Sequence, residues 1–221
     1  MIKAIYFIKR KPGTTLEDFR KYWLEEHAAL VLKVPGLVKY VQSHTTDSGY
    51  RAHEPIYDGI ASLWYENLDD MRKTGGTAMS RETMADNEKF LDMSKFAFIL
   101  TKERIQKENP VEPNAPKMVA FATRRPDLSV EAFQTHWNSV HGKLGRAVPG
   151  GRRYVQSHPL PSSYTNGRKP LWDGVAEIWF DSEDAMGSMA QTPEYKAVLA
   201  DEPNFLAGDA KFIITTEHII L

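Results

Sequence analysis

The chain has 221 residues, 42% hydrophobic and 26% charged, with 28 basic residues against 29 acidic ones for a formal charge of −1. That length suits one large domain or two of roughly 100 residues each; the charge balance, with no basic stripe, argues against nucleic-acid binding, and no apolar run approaches the roughly 18 residues that span a bilayer. The absence of cysteine excludes disulfides, thiolate metal sites and a cysteine nucleophile, and fits a cytoplasmic setting.

Ile2–Ile8 is an apolar run of strand length. No small-residue cleavage site accompanies it, so the N-terminus reads as a strand rather than a signal peptide. Thr15, followed by Glu17 and Asp18, opens a helix as its N-cap. Leu16, Phe19, Trp23, His27 and Leu30 then recur at three- and four-residue spacing along one helical face. Pro35-Gly36 stops that helix. Strands follow over 37–44 and 57–66, then a second helix over 67–92 broken at Gly75-Gly76, and a last strand over 95–105.

The same series then runs again. A shift of 114 positions places Phe19 on Phe133, Trp23 on Trp137, His27 on His141 and the pentapeptide YVQSH (Tyr40–His44) on a second YVQSH (Tyr154–His158). After a one-residue insertion the shift is 115, and Asp58-Gly59 meets Asp173-Gly174, Trp64 meets Trp179, Phe90-Leu91 meets Phe205-Leu206, and Thr101 meets Thr216. Ser129 is the second copy's N-cap, and its strands are expected over 118–123, 151–158, 172–181 and 210–220, with its second helix over 183–206. Repeats of 1–106 and 116–221 are therefore joined by a linker over 107–115, and the proline-rich stretch KENPVEPNAP, Lys107–Pro116, extends the chain by at most about 33 Å.

Each repeat reads β-α-β-β-α-β, the ferredoxin-like split βαβ unit, an antiparallel sheet with helices on one face. The bare sheet face needs a cover, since burial is worth roughly 25 cal/mol per Å². The fold class is accordingly α+β, with tandem ferredoxin-like repeats packed sheet to sheet as an intramolecular barrel around an interior pocket.

Three segments of the first repeat, FRKYWLEEHAALV, VPGLVKYVQSH and YDGIASLWYENLDDM, with FQTHWNSVHGKL, VPGGRRYVQSH and WDGVAEIWFDSEDAM in the second, resemble the EthD family of the dimeric α+β barrel superfamily. The resemblance covers nearly the whole chain. It implies relatives among lactone isomerases, small-ring decarboxylases and dehydratases, polyketide cyclases, cofactor-free oxygenases and accessory proteins of degradation pathways for aromatic compounds. Fold alone does not choose among these.

Alternation along a strand points Tyr40, Gln42 and His44 one way and Val41 and Ser43 the other. On the next strand Asp58, Ile60, Ser62 and Trp64 share a face, opposite Gly59, Ala61 and Leu63. Small and aliphatic residues suit the helix-covered side, so Tyr40, Gln42, His44, Ser62 and Trp64 are expected in the interior pocket. The second copy adds Tyr154, Gln156, His158, Glu177 and Trp179. Asp58 and Asp173 are expected beside His44 and His158, where a carboxylate would orient the imidazole as a general base. Glu177, in place of Ser62, is a candidate acid–base group if desolvated, so the two copies are expected to differ.

A catalytic set of His44, His158, Asp58, Asp173, Glu177, Tyr40 and Tyr154 results, with Gln42, Gln156, Trp64, Trp179, Ser62, His27 and His141 binding substrate. Structural duties compete with these roles. His44 and His158 can end a strand against loop backbone, His27 and His141 can sit near a helix C-terminus, Asp-Gly can be turn chemistry, and the tryptophans can be core. His53, His136 and His218 lack repeat counterparts and read as surface residues. No compact metal-ligand spacing or phosphate loop occurs, so no cofactor is expected.

The leading expectation is a cofactor-independent lyase or isomerase acting on a small aromatic, lactone or polyketide-like carbonyl compound. A non-catalytic binding or accessory protein and a cofactor-free or haem-dependent oxygenase are the alternatives. The expected partners are a small-molecule substrate and, through strand edges or helices, a second copy in a homodimer.

Overall fold

The computed structural model describes residues 1–51 and 53–221. The chain forms two compact units, Met1–Thr101 with Glu217–Leu221, and Lys102–Thr216. The last strand of each repeat therefore ends in the other unit.

In the first unit β1 (Ile2–Ile8) leads to helix α1 (16–31), then β2 (Lys39–Thr45), the short helix α2 (Asp47–Tyr50), β3 (Gly59–Tyr65), α3 (Leu68–Gly75), α4 (Ala78–Phe90) and β4 (Ala97–Glu108). Antiparallel pairing gives the order β4-β1-β3-β2. The Thr15 hydroxyl accepts from the Asp18 N–H at 3.1 Å, capping α1 as its sequence predicts. Helix α1 is not uniform. It is α-helical over Leu16–Lys21, π-helical over Tyr22–His27 and α-helical again over Ala28–Val31. The Ala28 N–H accordingly reaches back five residues to the Trp23 carbonyl. Phe19, Trp23, Ala28 and Val31 bury against Ala4, Ile8, Ala61 and Leu63 of the sheet. Each aromatic ring so buried removes some 150–250 Å² from water, a transfer gain of about 4–6 kcal/mol before entropy.

The second unit repeats the plan with β5 (Lys117–Ala122), α5 (130–147), β6 (Gly151–Pro159), β7 (Gly174–Phe180), α6 (Glu183–Met189), α7 (Pro193–Asp201) and β8 (Lys211–Ile219), in the order β8-β5-β7-β6. Ser129 caps α5 through the Ala132 N–H at 3.0 Å. This helix too is π-helical, over Trp137–His141. The Thr101 hydroxyl donates to the Lys3 carbonyl and the Thr215 hydroxyl to the Lys117 carbonyl, so the partner of Thr101 is Thr215, not Thr216. The fold class is α+β with two ferredoxin-like repeats.

Glycine follows aspartate at the start of β3 and β7 for a spatial reason. A Cβ on Gly59 would lie 2.7 Å from the Trp23 ring, and one on Gly174 2.2 Å from the Trp137 ring. These positions let a tryptophan lie against the strand, and their torsions are not those of a left-handed turn.

Candidate functional site

The register of β2 against β3 corrects the expected facing of YVQSH. Tyr40 pairs with Leu63, Gln42 with Ala61 and His44 with Gly59. Directly paired residues share a face, so Tyr40, Gln42 and His44 lie under the helices with Ala61 and Leu63, and Ser62, Trp64 and Ile60 occupy the other face with Val41 and Ser43. Polar residues are stable there because they satisfy one another. The Gln42 amide donates to the Trp23 carbonyl at 2.8 Å and to the Tyr40 hydroxyl at 2.7 Å. Its Oε1 accepts from His44 Nε2 at 2.8 Å. The Trp23 ring stacks on His44 at 4.3 Å, nearly parallel. In the second unit Gln156 bonds the Trp137 carbonyl, the Tyr154 hydroxyl and His158 in the same way. YVQSH thus clamps the π-helical turn to the sheet.

This clamp leaves His44 and His158 badly suited to act as bases. Burial, then the neighbouring His218 and Arg20, pushes His44 down to about 3, and burial followed by Arg104 pushes His158 down to about 4. In each, the Nε2 proton is spent on glutamine. His218 is not a free surface residue, since it meets His44 edge-on at 4.5 Å.

The two aspartates also lie elsewhere than expected. Asp58 accepts from the Arg10 backbone at 2.6 Å and guanidinium at 2.5 Å, and from the Tyr50 hydroxyl. Asp173 accepts from the Arg124 backbone at 3.0 Å and the Tyr164 hydroxyl at 2.9 Å. Both are loop anchors bonded to cations and tyrosine, and neither has a hydrogen bond to His44 or His158. Glu177 is buried and ion-paired with Lys117 Nζ at 2.9 Å, so desolvation does not leave it as a lone acid. Trp64 lies between Lys3 and Lys39, each 4.8 Å from the ring, and Trp179 between Lys117 and Arg153, each 5.0 Å away. Their faces are taken by the protein's own cations.

The residues that do form a cavity are His27, His141, Tyr40 and Tyr154. In the first unit a cavity of about 70 Å³ lies between α1, α4 and the sheet, lined by His27, Tyr40, Tyr6, Val31, Asn87 and Phe96 among others. In the second, a cavity of about 230 Å³ at the same place is lined by His141, Tyr154, Ala120, Gly145, Glu202 and Ala210 among others. Three replacements account for the added room. Val31 becomes Gly145, Tyr6 becomes Ala120, and Phe96 becomes Ala210 by the strand register that sets Phe98 opposite Tyr6 and Phe212 opposite Ala120.

Each cavity histidine is held by an aspartate absent from the predicted set. His27 Nδ1 lies 2.8 Å from Asp86, which also accepts from the Tyr22 hydroxyl at 2.8 Å and pairs with Lys89 at 2.8 Å. His141 Nδ1 lies 3.1 Å from Asp201, which His136 approaches at 2.9 Å and Asn204 at 3.0 Å. His136 is therefore a second-copy counterpart of Tyr22, not a surface residue. A carboxylate only accepts, so each neutral imidazole carries its proton on Nδ1 and keeps the Nε2 lone pair; the described residues give that nitrogen no hydrogen bond.

Burial lowers His27 and His141 below the usual histidine range, outweighing the opposite pull of Asp86 and Asp201. Burial raises Asp86 and Asp201, but the hydrogen bonds they accept outweigh it, and both end below the usual carboxylate range. A neutral imidazole against an ionised carboxylate is the arrangement a general base requires. The sequence carried a signal for it: at a shift of 115, Ala85-Asp86 falls on Ala200-Asp201, four residues before the Phe90/Phe205 match.

Each cavity is also lined by a tyrosine whose hydroxyl accepts from glutamine and keeps its own proton, and burial raises both Tyr40 and Tyr154. Among the described residues, no group of three or more His, Asp or Glu is arranged to hold a metal ion, and no helix is long and apolar enough to cross a membrane.

Fold and site together describe a tandem ferredoxin-like protein with an imidazole-lined cavity beneath the helices of each repeat. The EthD domain matches residues 11–94 and 125–209, and the chain belongs to that family. An uncharacterized 11.0 kDa protein from the thcB-thcC intergenic region of Rhodococcus erythropolis is 27% identical over 90 residues, 41% of this chain and 84% of that one. Among solved structures, an anthrone oxidase-like protein is 13% identical with a TM-score of 0.69, over 99% of this chain and 92% of its own. A "putative monooxygenase" from Lactobacillus acidophilus NCFM is 13% identical with a TM-score of 0.57, over 100% and 94%.

Proposed function

We propose that the chain is a cofactor-independent lyase or isomerase that moves a proton at a carbon next to a carbonyl in a small aromatic, lactone or polyketide-like compound, with the second unit's cavity as the principal reaction site. One observation carries this reading: the buried His141, fixed through Nδ1 by Asp201, on the wall of a largely apolar cavity of about 230 Å³. Nε2 takes the proton from carbon, the carbon–hydrogen pair of electrons forms a carbon–carbon double bond, and the carbonyl π pair moves to the oxygen. The Tyr154 hydroxyl donates a hydrogen bond to that oxygen as its charge grows. Return of the proton at another carbon completes an isomerisation; departure of a hydroxyl on the next carbon with its bonding pair, taking the proton from Nε2 to leave as water, completes a dehydration.

A second reading shares the first step. The structural neighbours described as anthrone oxidase-like and as a "putative monooxygenase" favour it. In that case the carbanion bonds to dioxygen instead of recovering a proton, the resulting peroxide takes the proton from Nε2, and loss of water from the hydroperoxide leaves a new carbonyl.

Deuterium uptake by 2-tetralone in D₂O, followed by NMR, tests the common step, and oxygen uptake with anthrone tests the second outcome. His141→Ala is expected to lower the exchange rate by about 10²- to 10⁴-fold, the worth of a positioned base, with His27→Ala changing it far less. No acceleration by the native chain, or one that survives His141→Ala, refutes the proposal.

A further inference from the structure

We infer that the second unit's cavity selects uncharged carbonyl arenes bearing hydroxyl groups and turns away carboxylates, with Glu202 as the specificity-determining residue. The inference rests on the reading of that cavity as the reaction site and names the class of compound it takes.

Glu202 stands where the first unit has Asn87. It lines the larger cavity with Asp209, and among the described residues lining that cavity none is Lys or Arg. The described residues give the Glu202 carboxylate neither a hydrogen bond nor an ion pair, so its acceptor sites are open to a ligand. Burial first, then Asp209 and Asp201, raises Glu202 above the usual carboxylate range. Its charge is also felt at the cavity tyrosines Tyr154 and Tyr195. A ligand carboxylate would add one more negative charge to this group in a partly desolvated space with no cation to meet it, which is strongly unfavourable. A ligand hydroxyl would instead donate to Glu202.

The second, independent sign of a ligand is His141, buried at 8% exposure, on the same wall with Nε2 unpartnered among the described residues. Proton shifts and dehydrations on hydroxylated ketones fit these walls. Removal of carbon dioxide from an acid does not.

The test is calorimetric titration of the full chain with 2,7-dihydroxynaphthalene and with 3-hydroxy-2-naphthoate. The native chain is expected to bind the diol at least tenfold more tightly. Glu202→Gln should narrow that ratio about tenfold by relieving repulsion of the acid, and Asp209→Asn, at an exposed position that folding tolerates, should narrow it less. Equal binding of the two compounds, no heat with the diol, or a ratio that neither variant moves overturns the inference. Since the readout is binding, it can succeed where the deuterium test fails, and the reverse.

Discussion

The two cavities share a frame and differ in their walls. Trp23, His27, Asp86, Tyr40 and Gln42 recur as Trp137, His141, Asp201, Tyr154 and Gln156 with the same hydrogen bonds. Around them Val31, Tyr6, Phe96 and Asn87 give way to Gly145, Ala120, Ala210 and Glu202. The support of the aspartate changes too, from Tyr22 and Lys89 to His136 and Asn204. The polar frame is interlocked, so one change strands several partners. The wall residues stand outside that hydrogen-bonded frame, Tyr6 and Phe96 stacking on each other, and can change size without stranding its partners, which lets one copy of the frame enclose a larger ligand than the other.

The largest effect expected from breaking this comparison lies on the far face of the second sheet. Lys117→Met breaks the buried ion pair between Lys117 and Glu177 and should cost about 3–5 kcal/mol, read from urea denaturation. The first unit has Ser62 in the place of Glu177. A double variant Lys117→Met/Glu177→Met should recover most of the loss, and failure to do so would remove the ion pair as the cause.

Next is Gly145→Val, which gives the second cavity the first one's wall. Its Cβ would meet the Tyr154 ring at 2.6 Å. Overpacking should cost about 1–3 kcal/mol, lowering the melting temperature by several degrees, and naphthalenediol binding should disappear. Retained binding would show that the cavity's width is not what admits the ligand.

The mildest probe is pH. His44 and His158 are held below their ordinary value of 6.5, down to about 3 and about 4. The unfolded chain therefore takes up their protons first as pH falls. Stability is fully present above about 6.5 and declines below it, by roughly 1.4 kcal/mol per pH unit for each histidine. The decline ends near pH 4 for His158 and continues to about 3 for His44. Melting temperatures from pH 7 to 4.5 should fall less steeply in His44→Gln and in His158→Gln than in the native chain; an unchanged slope would place the acid sensitivity elsewhere.

Much of the fold was legible because its signals are local or periodic. The N-caps Thr15 and Ser129, the helical face through Trp23 and His27, the break after Gly75 and the duplication all needed only neighbours in sequence. The parity of β3 was legible as well, because Ala61 and Leu63 are small or aliphatic and do lie under the helices. The parity of β2 was not. Hydrophobicity sends Tyr40, Gln42 and His44 away from the core, and their burial is stabilised by the bonds they make to one another and to the Trp23 carbonyl in the π-helical turn, a set invisible in the sequence. Asp86 escaped notice because it reaches His27 from another helix, 59 residues on. The place of Asp58 was not legible because its partners, Arg10 and Tyr50, lie 48 and 8 residues away, outside the repeated strand and helix pattern.

The π-helical turns carry one further consequence. Such a turn holds an extra residue relative to an α-helix, and in an α-helix each residue is worth about 100° of rotation. Losing one position between Trp23 and His27, or between Trp137 and His141, would restore a regular α-helix and swing everything beyond it around the axis. The imidazole would leave its aspartate, and the tryptophan would lose its seat over glycine. The extra residue acts as a detent that fixes the angle at which each repeat presents its chemistry.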